Sequence, residues 1–552
     1  MQGDLELFKR CERQEKKYVE SNQITIAECV FLAYFLCIFG ARAIGLYEGM
    51  ALYNISLVVG MLLFGLKIIV TKHSILEYGL IGSLTLLALV VYINTGEKGF
   101  LIYVTMFLGM KYVSVGRVFK VGVLILSVAF IAITGLSLLG INEEIFYIQD
   151  RAGMGSVFRH ALGYPHPNTL HTTYVVLVAL LVYLIRKQTK KVLFITYALL
   201  FAVSAYLYLY SGSRTGLLIS GIYLFINFYF QSHNKLYKVE KWIVYAVYPF
   251  CMIFSIILPI VLNGKVFETI NKVLNNRWEF SIYYMENEPI TLFGVRFKEA
   301  PSTFYMIDSS FLYSFLQLGI VACVIITLLN MITIHEFLKK DMISEIALMV
   351  SFYVMGITDP FLYNLSAKNL IFIFIGSVFY QYMAKAEKYV PDILMYPIQI
   401  LKIGNKKIKY FVLPKVEISI TKKQFLKTIL IFCGIATIFS GVYLSVTSVP
   451  QKMYINENDL KYTLKQHDIT REQWSDTGIY LSEAEVQELK EDGNIVKDYL
   501  GENSPMFLFT GDAPRMEYIR NVASIGFWSG IFAAVFFWIF KYTMGRKSNG
   551  IE

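Results

Sequence analysis

The sequence predicts an all-α integral membrane protein of about fourteen transmembrane helices, with a small outer domain between the last two. Three observations carry this expectation. Apolar residues make up 56% of the chain and charged residues only 17%, against about 25% charged in a soluble domain. The apolar residues come in continuous blocks, most of them long enough to cross a hydrocarbon core of about 30 Å as helices. The blocks also lack the short alternating segments of a membrane barrel. Such a composition excludes a soluble globular protein, a disordered chain, a disulfide scaffold and a nucleic-acid reader. The net charge of +10 acquires meaning only once the charges are placed on a side.

The blocks fall at 24–45, 52–70, 78–94, 99–112, 119–140, 170–185, 192–210, 215–230, 242–262, 310–334, 344–358, 369–383, 425–447 and 523–540. The fourth and eleventh are short. With the N-terminus in the cytoplasm, the inner segments hold 30 Lys and Arg in 119 positions and the outer segments 18 in 175. The positive-inside rule therefore predicts both termini inside. Arg42, Lys67 and Lys427 lie near span ends, where they are expected to snorkel. The charged 1–23 segment reads as a cytoplasmic tail before a retained first helix, with no small-residue cleavage site after it.

This orientation divides the chain into a twelve-helix membrane domain over 24–383, a basic inner loop at 384–424 and a two-helix appendage over 425–552. Three outer segments are large: 141–169, 263–309 and 448–522. The 384–424 loop reads as a positively charged tether on the anionic inner leaflet. The 448–522 segment is acidic, with 14 Asp or Glu against 8 Lys or Arg. Within it, Ser482, Glu485, Val486, Leu489 and Val496 predict a capped helix over 482–500. Of the six cysteines, Cys29, Cys37, Cys251, Cys323 and Cys433 fall in apolar blocks and Cys11 in the tail. No disulfide framework or zinc site is indicated.

Charged residues are nearly absent from the middle of the spans, where an ion or proton path would need them. Polar residues gather instead at the outer ends. The first group is Arg151 and the run Arg159-His160-Ala161-Leu162-Gly163-Tyr164-Pro165-His166-Pro167-Asn168, followed by His171. Two prolines hold this stretch extended, and it reads as a polar cup for an anionic or sugar ligand. The spacing of His160, His166 and His171 is not that of a helical zinc site. The second group is Tyr210-Ser211-Gly212-Ser213-Arg214-Thr215-Gly216, a short turn opening a span. A helix N-terminus beside a guanidinium is in physical terms a phosphate site, although Arg214 equally suits lipid headgroups.

The third group lies in 263–309. Apolar residues at helical spacing predict one amphipathic interfacial helix over 265–286, carrying Arg277 and Trp278. Leu292-Phe293-Gly294-Val295-Arg296 follows, then Asp308-Ser309-Ser310 at the entry to a span. Asp308 suits a general base at neutral pH, and equally a helix N-cap. Tyr283, Tyr284, Phe304 and Tyr305 suit sugar stacking or simple interfacial anchoring.

In order, the elements R…HPN, SGSRTGL, RWEF…LFGVRF and DSSFLYSFLQLGIV resemble the O-antigen polymerase and O-antigen ligase family over about residues 100–385. SGSRTG is the most specific of them. The resemblance implies a multi-spanning GT-C-like glycosyltransferase, inverting and metal-independent, without a cofactor. It implies action on polyprenyl pyrophosphate-linked oligosaccharide at the outer face, among membrane lipid, alongside a flippase and a chain-length regulator, with no nucleic-acid partner. By the same likeness Arg214 and Arg277 bind the pyrophosphate. Asp308 stands where the ligase members usually have a histidine, which favours a polymerase. Arg151, Arg159, His160, His166, Asn168, Ser213 and Arg296 are the candidate substrate contacts. A ligase and a lipid-linked oligosaccharide flippase are the alternatives.

Overall fold

The computed structural model describes residues 23–47, 49–139, 141–142, 145–151, 155–232, 235–298, 300, 305–359, 369–386, 389–409, 422–456, 478–497 and 499–548. The chain is mostly helical and membrane-embedded in character. Among the described residues ten helices are long and apolar enough to cross a membrane, by length and composition. Each of the other four apolar blocks also forms a helix: Gly99–Leu108, Arg214–Gln231, Ile343–Met355 and Ile371–Ala386. The first and last two of these have shorter apolar runs than a full crossing requires.

Two compact units are present. The first comprises residues 1–135, 171–204 and 214–412. Local chemistry sets its helix ends. Ser74 and Glu77 form a capping box that starts Ile75–Thr95, and Gly96 in the left-handed region ends it. Lys238–Met252 continues through a π segment at Ile253–Ile257 into Leu258–Val261. Pro259 has no N–H for the carbonyl four residues before it, and the ladder widens there.

The amphipathic helix expected over 265–286 is two helices, Gly264–Val273 and Arg277–Asn287. Asn275 and Asn276 take φ of 56° and 64° between them. Asparagine tolerates this left-handed conformation better than most residues. Asn271 then caps the second helix, its Oδ1 accepting from the backbone N–H of Trp278 at 3.1 Å and Glu279 at 3.2 Å. Lys67, expected to snorkel, is instead fully buried, its Nζ donating to the Lys111 carbonyl at 2.8 Å.

The second unit comprises residues 136–170, 205–213 and 413–552. Its boundary does not follow the expected division at 383 and 425, because the first large loop belongs with the C-terminal segment. It also carries short β-strands within the mostly helical chain. Phe146–Arg151 pairs antiparallel with Gly155–His160. Lys452–Asn456 is the central strand of a mixed sheet, parallel to Ile495–Lys497 and antiparallel to Met506–Thr510. Phe158 packs with Met453, Ile455 and Ala513 in one core. The Ser482–Glu485 capping box does start a helix, but it ends at Glu491, and Val496 lies in a strand. In the same unit Lys422–Val446 packs against Asp512–Ser548. Gly526 and Gly530, one turn apart, allow the close approach: a Cβ on them would lie 2.2 Å from Ser440 Oγ and 2.7 Å from Phe432.

Candidate functional site

In the first unit, the Arg277–Asn287 helix begins with the residue that matters most. Arg277 Nη2 lies 3.0 Å from Asp308 Oδ2. Its Nη1 donates to the Leu274 carbonyl at 2.9 Å, and its Nε has no acceptor among the described residues. The two side chains are 18% and 33% exposed, so the pair is sheltered but reachable. Asp308 is not the helix cap. Ser309 fills that place for Ser310–Leu316, its side chain accepting from Leu312 N. Burial raises the Asp308 carboxyl above its ordinary range, and the Arg277 charge opposes that rise.

An aromatic platform lies beside the pair. Tyr305 is 5.1 Å from Phe280 and 4.7 Å from Tyr283, ring centre to ring centre. Tyr284 donates its hydroxyl to the Tyr305 carbonyl at 2.7 Å. Residues 305–308 therefore run back along the Arg277–Asn287 helix, with Asp308 at its N-terminal end. Phe304 lies outside the described residues.

The Gly294 element docks on the start of Ile320–Lys340. The carbonyls of Thr291 and Leu292 accept from the N–H groups of Ile320 and Val321 at 3.0 and 3.1 Å. This satisfies donors that a helix start leaves open. Gly294 and Gly319 both have positive φ, and a Cβ on Gly294 would sit 2.2 Å from the Gln317 carbonyl oxygen. Arg296 is exposed on the chain that follows.

Arg214 is the exposed first residue of Arg214–Gln231. Gly216 on that helix faces His171, where a Cβ would lie 2.5 Å from the imidazole. His171 is itself buried, with Nε2 2.9 Å from Ser204 Oγ.

In the second unit the Arg159–Asn168 run is an internally bonded loop. Arg159 is buried; its Nε donates to the Ser211 carbonyl at 2.8 Å and its Nη2 to Asn168 Oδ1 at 2.5 Å. His166 Nδ1 accepts from Asn168 N at 3.0 Å, and Tyr147 stands 5.0 Å from its ring. Burial, and then the Arg159 charge, push His166 down to about 4, so it is neutral at pH 7. Asn168 is exposed, whereas Ser213 is buried with its N–H on Ser211 Oγ. Arg151 ends the first hairpin strand. Its side chain lies outside the described residues.

His160 is 2% exposed and lies between two residues that sequence reasoning missed, Glu517 and Arg520. Arg520 bonds His160, Glu517 and the carbonyls of Phe158 and Leu209. Lys497 bonds the other Glu517 oxygen at 2.9 Å. A ligand would have to displace Arg520 to reach His160. A second missed carboxylate is Glu97 in the first unit, which accepts from the Tyr313 hydroxyl and the Gln317 amide, each at 3.2 Å. Its only sequence signal is an acid in the four-residue turn at 95–98.

Comparison with known proteins returns no match: no family model, no curated protein and no solved structure corresponds to the chain.

Proposed function

We propose that the protein is a membrane glycosyltransferase that polymerises polyprenyl pyrophosphate-linked oligosaccharide units into a surface polysaccharide. On this reading all fourteen apolar helices are embedded, both termini are cytoplasmic, and the chemistry occurs at the outer face. The observation that carries the reading is the Arg277–Asp308 pair set against the Phe280, Tyr283 and Tyr305 rings. On this reading it joins a base, a phosphate-binding cation and a sugar-stacking surface within the 263–309 segment. The motif order described from the sequence adds to it.

The reaction needs no redox partner. A sugar hydroxyl of one unit attacks the anomeric carbon of another with inversion, and its proton passes to Asp308. The bond from that carbon to the pyrophosphate oxygen breaks, and the leaving group keeps the electron pair. Arg277 and Arg214 stabilise the charge that develops there. A carboxylate raised above its usual range is, once ionised, the stronger base. Arg296, in the same unit as the pair, is assigned to the glycan.

The test is an assay of the purified protein with a lipid pyrophosphate-linked repeat unit as sole substrate. A ladder of products is the expected result. One transfer to a foreign acceptor would instead mean a ligase, and translocation without covalent change a flippase.

A further inference from the structure

The 384–424 loop was expected to be a positively charged tether on the anionic inner leaflet. Its described part, 389–409, is fastened to one end of the first unit. Lys407–Lys409 pairs with Gln23–Thr25, and Pro397–Ile398 pairs with His73–Ser74. Ile26 N and Ala27 N donate to the carbonyls of Lys406 and Gly404 at 3.0 and 3.1 Å, and Leu401 N donates to the Ile69 carbonyl at 3.1 Å. Gln399 Nε2 reaches the Val70 carbonyl at 2.9 Å. Gly404 is required by closeness alone: a Cβ there would lie 1.9 Å from Val70 O. The segment thus closes the starts of Ile26–Ala43 and Ile75–Thr95 and the end of Ala51–Val70, and it has a fixed shape.

Charge is sorted by depth at this end. Two acids, Glu28 and Glu77, are internal. Glu28 is buried and takes Arg117 Nε at 2.7 Å, Arg117 Nη2 at 2.9 Å and the Ser114 N–H at 3.0 Å. Glu77 is buried against His73, the Ser74 N–H and Lys111. The outward-facing charges are basic: Lys72, Lys402, Lys406 and Lys407 are all exposed. Asp392 is exposed at the start of the segment, but no Asp or Glu occurs from 393 to 409. Beside the lysines stand large apolar side chains that are exposed among the described residues. Ile393, Tyr396 and Ile400 are 72%, 64% and 63% exposed, and Leu401, Ile403 and Ile408 are exposed as well. An apolar patch of this extent marks an interaction surface. A stripe of lysines through it fits the headgroup level of an anionic bilayer, where apolar tips enter the acyl boundary and ammonium groups stay at the phosphates.

We propose that residues 389–409, with Lys72, form a preformed docking shelf for anionic phospholipid headgroups. The inference does not rest on the proposed glycosyltransferase activity. The shelf is rigid before it meets lipid, so seating it costs little ordering entropy, unlike a tether that must fold on the surface.

The experiment uses the full chain. Delipidated protein in neutral detergent is titrated with phosphatidylglycerol or phosphatidylcholine, following the thermal unfolding midpoint. Phosphatidylglycerol should raise the midpoint at concentrations where phosphatidylcholine does not. The K402Q/K406Q/K407Q variant should unfold normally without lipid, because these side chains are exposed. Its apparent affinity for phosphatidylglycerol should fall by about fivefold per lysine, roughly a hundredfold in all. A second variant, Ile400→Trp, is placed in nanodiscs with brominated lipid, and its added fluorescence should be quenched most by brominated phosphatidylglycerol. Equal quenching by both lipids, with no lysine effect, would overturn anionic recognition. No quenching by either lipid would overturn the docking itself and leave the patch to a protein partner.

Discussion

Arg277 and Asp308 form an ion pair at 3.0 Å that joins the first residue of one helix to the residue before the cap of another. Because Ser309 is the cap, Asp308 is not needed to start Ser310–Leu316. The partners are 18% and 33% exposed, so the pair contributes little to folding, on the order of 1 kcal/mol or less after solvent screening. Asp308→Asn should therefore fold and bind lipid-linked substrate, yet lose roughly 10²-fold or more in turnover if Asp308 is the base. Turnover within a few-fold of wild type would take the base role away from Asp308.

Arg214 and Arg277 are assigned to one leaving group. Lysine keeps the charge and loses the planar fork. Arg214→Lys and Arg277→Lys should each lower product formation at saturating substrate by about 10-fold or more, the scale of a charged hydrogen bond. The double variant should lose less than the two losses combined, because both residues act on the same charge. Near-normal rates in Arg→Gln variants, with monodisperse protein as the control, would remove the phosphate role and most of the support for the polymerase reading.

Arg520 and Glu517 test whether the C-terminal segment is an appendage. Both are buried in the second unit, and with His160 they tie the last long helix to the Phe158 carbonyl. Arg520→Met leaves Glu517 with Lys497 and His160 alone, and should cost about 3 kcal/mol in stability. Glu517→Met added to it removes the buried carboxylate that has lost its guanidinium and should return much of that loss. Thermal unfolding of the three proteins checks the order. A double variant less stable than Arg520→Met would mean the cluster is not held by mutual pairing.

Gly294 and Gly319 meet backbone to backbone, with φ of +84° and +88°. Each position combines a left-handed backbone with no room for a Cβ, so each Ala variant should lose about 1–3 kcal/mol, and the Gly294–Arg296 segment should become sensitive to protease. Unchanged unfolding midpoints would show that the segment docks differently.

The helices were legible because a continuous apolar block admits one solution in lipid, a helix that satisfies its own backbone. Ser482 and Glu485 were legible because a capping box is local. What escaped was set by tertiary partners or by single residues. The apolar period of Phe267, Ile270, Val273 or Leu274, and Trp278 runs on across Asn275 and Asn276, so periodicity cannot see the break. Val496 fits a helical period and a strand equally well, and its pairing with Tyr454 decides. At the site, Arg277 and Asp308 were picked from the sequence as separate residues, but their contact spans 31 positions and no local rule gives it. Glu517 was further out of reach, because its partner His160 is 357 residues away.

The pH dependence of the reaction probes the Arg277–Asp308 contact directly. Burial raises the Asp308 carboxyl in the folded protein above its unfolded value of about 3.9. Folding thus favours the protonated form. This contribution to stability is complete below about pH 3.9 and is lost as pH rises through the folded value. A base must be ionised, so the acidic limb of kcat/KM should lie above the usual carboxylate range. Arg277 holds the carboxyl down against burial. Arg277→Gln removes that opposition, and the limb should move further up in pH as well as fall in height. Asp308→Asn should abolish the limb. The measurement is initial rate against pH for the three proteins at subsaturating substrate. A limb that stays in place in Arg277→Gln would show that the titrating group does not feel Arg277, and another carboxylate, with Glu97 the first to try, would take the base role.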